Sequence, residues 1–281
     1  MFADLHLHTR FSDGTYTPEE LVAQAQLNGL AAIALTDHDT VEGCPSAAAA
    51  CAAAGIEFVP GTELTAEHQN TEVHLLAYFV DIGDPMFLKE MAHFQAVRQN
   101  RIREMATKLN AIGVGLKAAD VFALANCNSP GRPHVARALV RGGFCGSMDE
   151  AFDRFLKKDR PAFVPKFKMA AARGIELVHQ AGGLAVMAHP ALNRTDAIIP
   201  ELVALGLDGI ECFHTKHSAS VSRHYLEMAA HFGLLVTGGS DCHGLSKGRP
   251  LIGTVKLDYP YYERLKARAH QRRNGSSNGA A

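Results

Sequence analysis

The stretch "DLHLHTRFSDG", Asp4 to Gly14, decides how the rest of the chain is read. His6 and His8 stand two residues apart in an apolar run, and residues i and i+2 of a β-strand point to the same face. Both imidazoles then converge on one point, which suits a metal ion without proving one. Asp13 follows in the loop after the strand, where Gly14 lets the chain bend.

Working outward, strand and helix signals alternate. "TPEELVAQAQLNG" reads as a helix, with Thr17 as N-cap, Pro18 at the first helical position, Glu20 closing a capping box and Gly29 beyond the end. "LAAIALTDHD", "IEFVPGTELTA", "EVHLLAYFV", "LAVMAHP", "LDGIECF", "LLVTGGSDCH" and "LIGTVKL" read as strands, most of them separated by helical stretches. Repeated βα units with apolar strands predict a parallel sheet, and this many predict a barrel. The break, from roughly Phe87 to Lys166, reads as consecutive helices with no strand between them. The expected class is therefore α/β, a barrel with an inserted all-helical cap over its mouth. The division is 1–97 and 163–270 for the barrel and 98–162 for the cap. The small polar residues of 271–281 are expected to lack fixed structure.

The chain has 281 residues and is 47% hydrophobic, ample for a large core. No apolar run approaches the length of a membrane span, and the N-terminus lacks the pattern of a secretory leader. Six cysteines without a CxxC pair fit reduced thiols, so a cytoplasmic protein is expected. The net charge of −1 conceals a division: residues 98–173 carry 15 Lys/Arg against 6 Asp/Glu, and the remainder 13 against 23. Such a balance suits cations held by the frame and an anion gripped by the middle, or simply a solvated helical face.

Ligand-type side chains gather at the predicted strand ends. His6, His8 and Asp13 belong to the first strand and its loop, and His38 follows the second. Glu63 and His74 lie on the next two, His189 ends "LAVMA", and Asp241 and His243 end "LLVTGGS". In a βα barrel the C-terminal strand ends form one rim, so these nine residues should meet there. A catalytic zinc takes about three protein ligands. Nine, with a bridging carboxylate, can therefore hold two or three ions, and imidazole plus carboxylate suits Mn²⁺, Fe²⁺ or Zn²⁺. Clustered divalent ions at a wet rim imply hydrolysis, because they acidify a water and neutralise phosphoryl charge. Cys242, between two of these ligands, should face away and pack.

Together "DLHLHT..SDG", "LTDHDT", "GTELTA", "EVHLLAY", "AHP" and "GSDCHG" resemble the PHP (polymerase and histidinol phosphatase) family of metal-dependent phosphoesterases. The cap motifs "GRPHVARALV" and "FLKKDRPAFVPK" are similar to the subgroup of 3′,5′-nucleoside bisphosphate phosphatases, whose members also trim short RNA from the 5′ end. The resemblance implies a distorted (β/α)₇ TIM-like barrel and a site of three divalent ions, usually Mn²⁺. One ion would take His6, His8, Glu63 and Asp241. A second would share Glu63 and add His74 and His189. A third would take Asp13, His38 and His243. Glu63, Asp241 and His189 would be the catalytic members. Asp37 and Asp39 would orient His38 or a neighbour, although Asp39 could simply cap the next helix.

Arg132, His134 and Lys166 are the expected phosphate contacts of the cap. The first two open a helix after the turn "SPGRPH", and a helix N-terminus favours an anion. Arg132 could equally be a solvated surface residue. His214 and His217, after "GIECF", are near-rim candidates for a general acid or for loop polarity. The activity implied is release of the 3′-phosphate from a nucleoside 3′,5′-bisphosphate, with short 5′-phosphorylated RNA as a further substrate. No stable protein partner and no membrane contact are expected. Histidinol-phosphate hydrolysis and an amidohydrolase reaction are rival activities. A metal-binding accessory or proofreading module of a nucleic-acid enzyme is the rival from another class, and such a module is expected within a longer polypeptide.

Overall fold

A computed structural model describes residues 1–193 and 196–277. Seven strands run round a barrel in the order β1 (Phe2–Asp4), β2 (Leu30–Leu35), β3 (Glu57–His68), β4 (Thr71–Tyr78), β6 (Leu184–Met187), β7 (Gly209–His214) and β8 (Leu235–Gly239). Two short strands lie beside the ring: β5 (Met169–Ala170) pairs with β3, and β9 (Leu257–Asp258) runs antiparallel to β1. The ring closes between β8 and β1, where Leu5 N–H donates to Gly238 O at 3.1 Å and His8 N–H to Cys242 O at 2.9 Å. Gly239 permits that closure, since a Cβ there would stand 2.3 Å from His6 Cβ.

The helix α1 (Pro18–Leu27) forms as its caps predict. Glu20 N–H donates to Thr17 Oγ1 at 3.2 Å, and Thr17 N–H donates to Glu20 Oε2 at 2.8 Å. Next comes the alanine-rich α2 (Cys44–Ala54), stopped by Gly55 in the left-handed region. Outside the ring, α7 (Ala171–Gln180) packs on β3, β4 and β6, α9 (Ala219–Phe232) packs on β7 and β8, and α8 (Ile199–Ala204) adds Ile199 and Leu202 to the same apolar layer. The apolar layer between helices and sheet includes Leu21, Ile33, Leu64, Leu75, Ile175 and Ile210.

Within the ring one strand departs from the all-parallel expectation. β4 is antiparallel to both β3 and β6. Gln69 and Asn70, at φ 46° and 63°, turn β3 back on itself in two residues. Two successive left-handed residues match the twist of a tight hairpin, but without glycine the sequence does not announce one. The predicted strand "LIGTVKL" is also shorter than expected. The chain turns at 251–254, with Thr254 N–H on Leu251 O and Gly253 N–H on Asp4 Oδ2, and only Leu257 continues into β9.

From Pro85 the chain leaves the barrel as the 27-residue helix α3 (Pro85–Ala111). Its first turns bury Phe87, Met91 and Phe94 against the barrel. Its later turns bury Ile102, Met105 and Leu109 in a separate apolar cluster with α4 (Ala118–Ala125), α5 (Arg132–Arg141), α6 (Met148–Ala151) and the π-turn Phe152–Leu156. A helical layer thus stands on the rim, held there by one continuous helix.

The opposite end is closed by α10 (Tyr259–Ser277). Tyr262, Leu265 and Ala269 pack into the barrel lumen with Ala3, Leu5, Ala32, Val59 and Leu184. The helix continues through 271–277, where composition suggests no fixed structure. Arg272 pairs with Asp208, just before β7, and Arg273 bonds Phe79 O, just after β4, so contacts beside the strand ends hold this end where local sequence would not. Residues 278–281 of the expected tail lie outside the described residues. Among the described residues no helix is long and apolar enough to cross a membrane, and all six cysteines are free.

Candidate metal centre

Nine side chains predicted from separate strands and loops meet at the rim, with Glu63 at their centre. Glu63 Oε2 lies 3.3 Å from His6 Nε2, 3.4 Å from His8 Nε2 and 3.1 Å from His38 Nδ1. Its Oε1 lies 2.6 Å from His74 Nδ1 and 3.0 Å from His189 Nε2. Asp241 Oδ1 is 3.2 Å from His8 Nε2 and 3.6 Å from His6 Nε2. Asp13 Oδ1 is 3.2 Å from His243 Nε2 and 3.7 Å from His38 Nε2.

Three groups have donor atoms close enough to share an ion: His6–Glu63–His189, His6–His8–Asp241 and His8–Asp13–His38–His243. The grouping differs from the set that family resemblance implies: His8 also stands with Asp13, His38 and His243, Glu63 groups with His6 and His189 and not with His8 and Asp241, and His74 falls in none of the three groups. His74 reaches the cluster from the antiparallel strand β4. It therefore enters from the first half of its strand, not from a C-terminal end as a parallel sheet would require.

The chemistry of this donor set fits divalent cations. His6 Nε2, both ring nitrogens of His8, Asp13 Oδ1, His38 Nδ1 and Glu63 Oε2 are buried and have no hydrogen-bond partner. Buried polar atoms are rarely left this way, and here they face one another, so a cation would satisfy them together. The electrostatics agree. Burial works to raise the Glu63 carboxyl, yet His38, His74 and His6 hold it well below the usual carboxylate range. Burial works to lower His243, but Asp13 and Asp241 push it up to about 9. The carboxylates thus draw positive charge to this point. Three residues around the site, Asp39, His189 and Asp241, also take left-handed backbone, with φ of 52°, 27° and 52°.

Buried carboxylates hold the ligands from behind. Asp37 accepts from Thr9 N–H at 2.8 Å and from the hydroxyls of Thr9 and Ser12 at 2.5 Å, which fixes the loop carrying Asp13. Asp39 accepts from Thr65 N–H at 3.0 Å and pairs with Arg98 at 2.5 Å; it does not cap α2. Glu211, a residue the sequence reading passed over, accepts from His189 N–H at 2.7 Å and lies 3.0 Å from His6 Nδ1. A lone charge inside the apolar strand "GIECF" was the available signal. Cys242 is fully buried and accepts from the Gly244 and Leu251 amides, a packing role.

The helical layer touches the site directly. Ser129 Oγ donates to His38 O at 2.6 Å, and Arg137 donates to Asp13 O at 2.7 Å. Lys166 Nζ lies 3.1 Å from His74 Nε2 and 2.7 Å from Glu72 Oε1. His134 is buried, and its Nδ1 accepts Gly131 N–H at 3.0 Å, which leaves its proton on Nε2. Burial lowers it to about 4, so it is a neutral donor at neutral pH. Arg132 turns the other way, donating to Leu156 O at 3.3 Å beside the Phe152 ring. His214 Nδ1 accepts Lys216 N–H at 3.1 Å, and its Nε2 lies 3.6 Å from Asp241 Oδ2, so it supports Asp241. His217 Nδ1 donates to Cys212 O at 3.0 Å.

Comparison with known proteins agrees with this geometry. The PHP domain family matches residues 4–158. The chain is 32% identical over 279 residues to the 3′,5′-nucleoside bisphosphate phosphatase of Chromobacterium violaceum, covering 94% of this chain and 96% of that one. It is 33% identical over 248 residues to a 5′-3′ exoribonuclease of Haemophilus influenzae, covering 85% and 89%. A solved structure assigned as a metal-dependent phosphoesterase, from Bifidobacterium adolescentis, superposes with a TM-score of 0.87 at 34% identity, covering 95% and 96%.

Proposed function

The chain belongs to the PHP domain family and is a phosphoesterase of that family, and on this premise we propose that it releases the 3′-phosphate of nucleoside 3′,5′-bisphosphates such as adenosine 3′,5′-bisphosphate. The observation that carries the reading is the Glu63-centred donor set beneath a basic helical layer. Three overlapping ligand groups, sharing His6 and His8, are the support for the proposed three divalent ions, of which Mn²⁺ suits the imidazole and carboxylate donors. Bound there, divalent ions lower the pKa of a water and neutralise charge on the phosphoryl group.

The chain's own residues supply the rest. Glu63, Asp241 and His189 are the proposed catalytic members, as the likeness to the family implies; Glu63 stands among the groups, within 3.4 Å of His6, His8, His38, His74 and His189. His6, His8, Asp13, His38, His74 and His243 complete the ligands. Water attacks phosphorus, the P–O3′ bond breaks, and O3′ leaves with a proton. Lys166, Arg132 and His134 are the proposed hold on the 5′-phosphate. Lys166 is the best placed of the three, since its ammonium already stands beside His74 and faces the rim. His134 can donate through Nε2 without carrying charge. Arg132 would have to leave Leu156 O to take part. Residues 98–162 serve as the cap, and the free cysteines suit the cytoplasm.

A comparison of turnover tests this reading. Mn²⁺-loaded protein should release phosphate from adenosine 3′,5′-bisphosphate far faster than from 5′-AMP. Equal or better turnover of 5′-AMP would sink the anchoring role of the 5′-phosphate. Short 5′-phosphorylated RNA is a second proposed substrate, supported by the likeness to the Haemophilus influenzae exoribonuclease.

A further inference from the structure

A groove of about 490 Å³ lies on the side of the ligand cluster marked by Asp241, bounded by α9 and the segment 254–256. Phe213, His214, His217, Arg223, Thr254 and Lys256 line it, with no carboxylate among its lining residues. His214 belongs to both groove and site, because its Nε2 stands 3.6 Å from Asp241 Oδ2. His217 Nε2 is buried without a hydrogen-bond partner. Arg223 and Lys256 are exposed, and neither has an ion-pair partner among the described residues; Lys256 Nζ only overlies the Phe2 ring at 5.4 Å. Two basic regions therefore flank the ligand cluster at different edges. Lys166 and Arg98 stand beside His74 and Asp39, and the groove adjoins Asp241 through His214.

A nucleoside 3′,5′-bisphosphate has one phosphate for the ligand cluster and one for the cap, which leaves this second positive region without a partner. A 5′-phosphorylated oligoribonucleotide has a further phosphate beyond the scissile one. We propose that the groove binds the nucleotide on the 3′ side of the scissile phosphate of a short RNA, with Arg223 and Lys256 taking the next phosphate along. The inference rests on the phosphoesterase reading above and deepens it.

The chemistry is the same for both substrates. Water adds to phosphorus, the P–O3′ bond breaks, and O3′ of the first nucleotide takes the proton. In the bisphosphate the phosphorus carries no further ester and leaves as inorganic phosphate. In RNA the phosphate stays on O5′ of the next nucleotide, so the shortened strand again carries the 5′-phosphate that the cap binds. Occupancy of the groove is what separates the two reactions.

The experiment compares wild type with Arg223→Glu/Lys256→Glu and with the milder Arg223→Gln/Lys256→Gln. The substrates are adenosine 3′,5′-bisphosphate and a 5′-phosphorylated tetraribonucleotide. For the tetranucleotide, kcat/KM should fall roughly tenfold for each charge-assisted contact removed, and its salt dependence should flatten. Bisphosphate turnover should stay at the wild-type level, which also reports that the variants fold. Equal loss on both substrates, or none on RNA, would overturn the groove. Failure of the premise reads differently, since the wild type would then hydrolyse neither substrate. Fluorescence anisotropy of a 3′-fluorescein tetranucleotide then decides: binding weakened by the substitutions supports the groove, and unchanged or absent binding refutes it.

Discussion

At the floor of the barrel Glu57 accepts from Tyr259, Tyr262 and Lys266, and Asp208, just before β7, accepts from Arg272, so each acid meets donors of its own chain. At the rim Glu63 is surrounded instead by His6, His8, His38, His74 and His189, with one carboxylate oxygen left unbonded. Both ends use an acidic group of β3, Glu57 at the floor and Glu63 at the rim. The floor resolves them internally and locks α10 in place, whereas the rim leaves convergent lone pairs that a cation completes. Stability is concentrated at one end and chemistry at the other.

Substitutions at the two ends should therefore have opposite signatures. The largest effect belongs to the rim. Glu63→Gln and Asp13→Asn should abolish phosphate release while circular dichroism stays native; retained activity in Asp13→Asn would remove the third ion from catalysis. At the floor, Leu265→Ala empties a fully buried position. It should lower unfolding free energy by about 2–5 kcal/mol and leave turnover per folded molecule unchanged, as urea melts and kinetics would show. Adding Mn²⁺ at about 100 times its dissociation constant should stabilise the wild type by about 2.7 kcal/mol for each site filled. The same increment should appear in Leu265→Ala and shrink in Glu63→Gln. Glu211→Gln keeps the volume but loosens His6, so metal affinity and activity together should fall by about 10- to 100-fold, which a purely packing role would not produce.

The smallest effect is one of pH. Lys266 and then Tyr259 hold the Glu57 carboxyl down at about 2, below its ordinary value of 4.5. A carboxyl lowered on folding contributes stability above its unfolded value and loses it as pH falls through the folded one. Urea midpoints should therefore drop a little between pH 5 and pH 2 for this reason, and Glu57→Gln should remove that part of the slope. Glu57 is partly exposed, so added salt should weaken the effect.

Most of the side chains that meet at the rim were legible in the sequence, because their spacing places them near strand ends and a barrel gathers such ends; His74, in the first half of antiparallel β4, reaches the rim by another route. His6 and His8 share a strand face, and Asp241 and His243 follow Gly239, which lets β8 approach the chain after β1. The direction of β4 was not legible, since Gln69 and Asn70 turn the chain without a glycine to mark it. Glu211 looked like part of a strand, and its role depends on a neighbour 205 residues away. The cap contacts were hidden for a similar reason. A basic helix reads the same whether its arginines meet solvent or, like Arg98 and Arg137, a carboxylate and a carbonyl across the rim. The end of α10 is the converse case, a polar stretch made helical by contacts beside the strand ends.

Metal titration tests the central claim most directly. Chelator-stripped protein would be titrated with Mn²⁺ in a calorimeter while phosphate release from adenosine 3′,5′-bisphosphate is followed in parallel. The account predicts saturable uptake of one equivalent for each of the three ligand groups, activity rising with uptake, and loss of both in Glu63→Gln. Full activity in stripped protein, or identical uptake by Glu63→Gln, would contradict it.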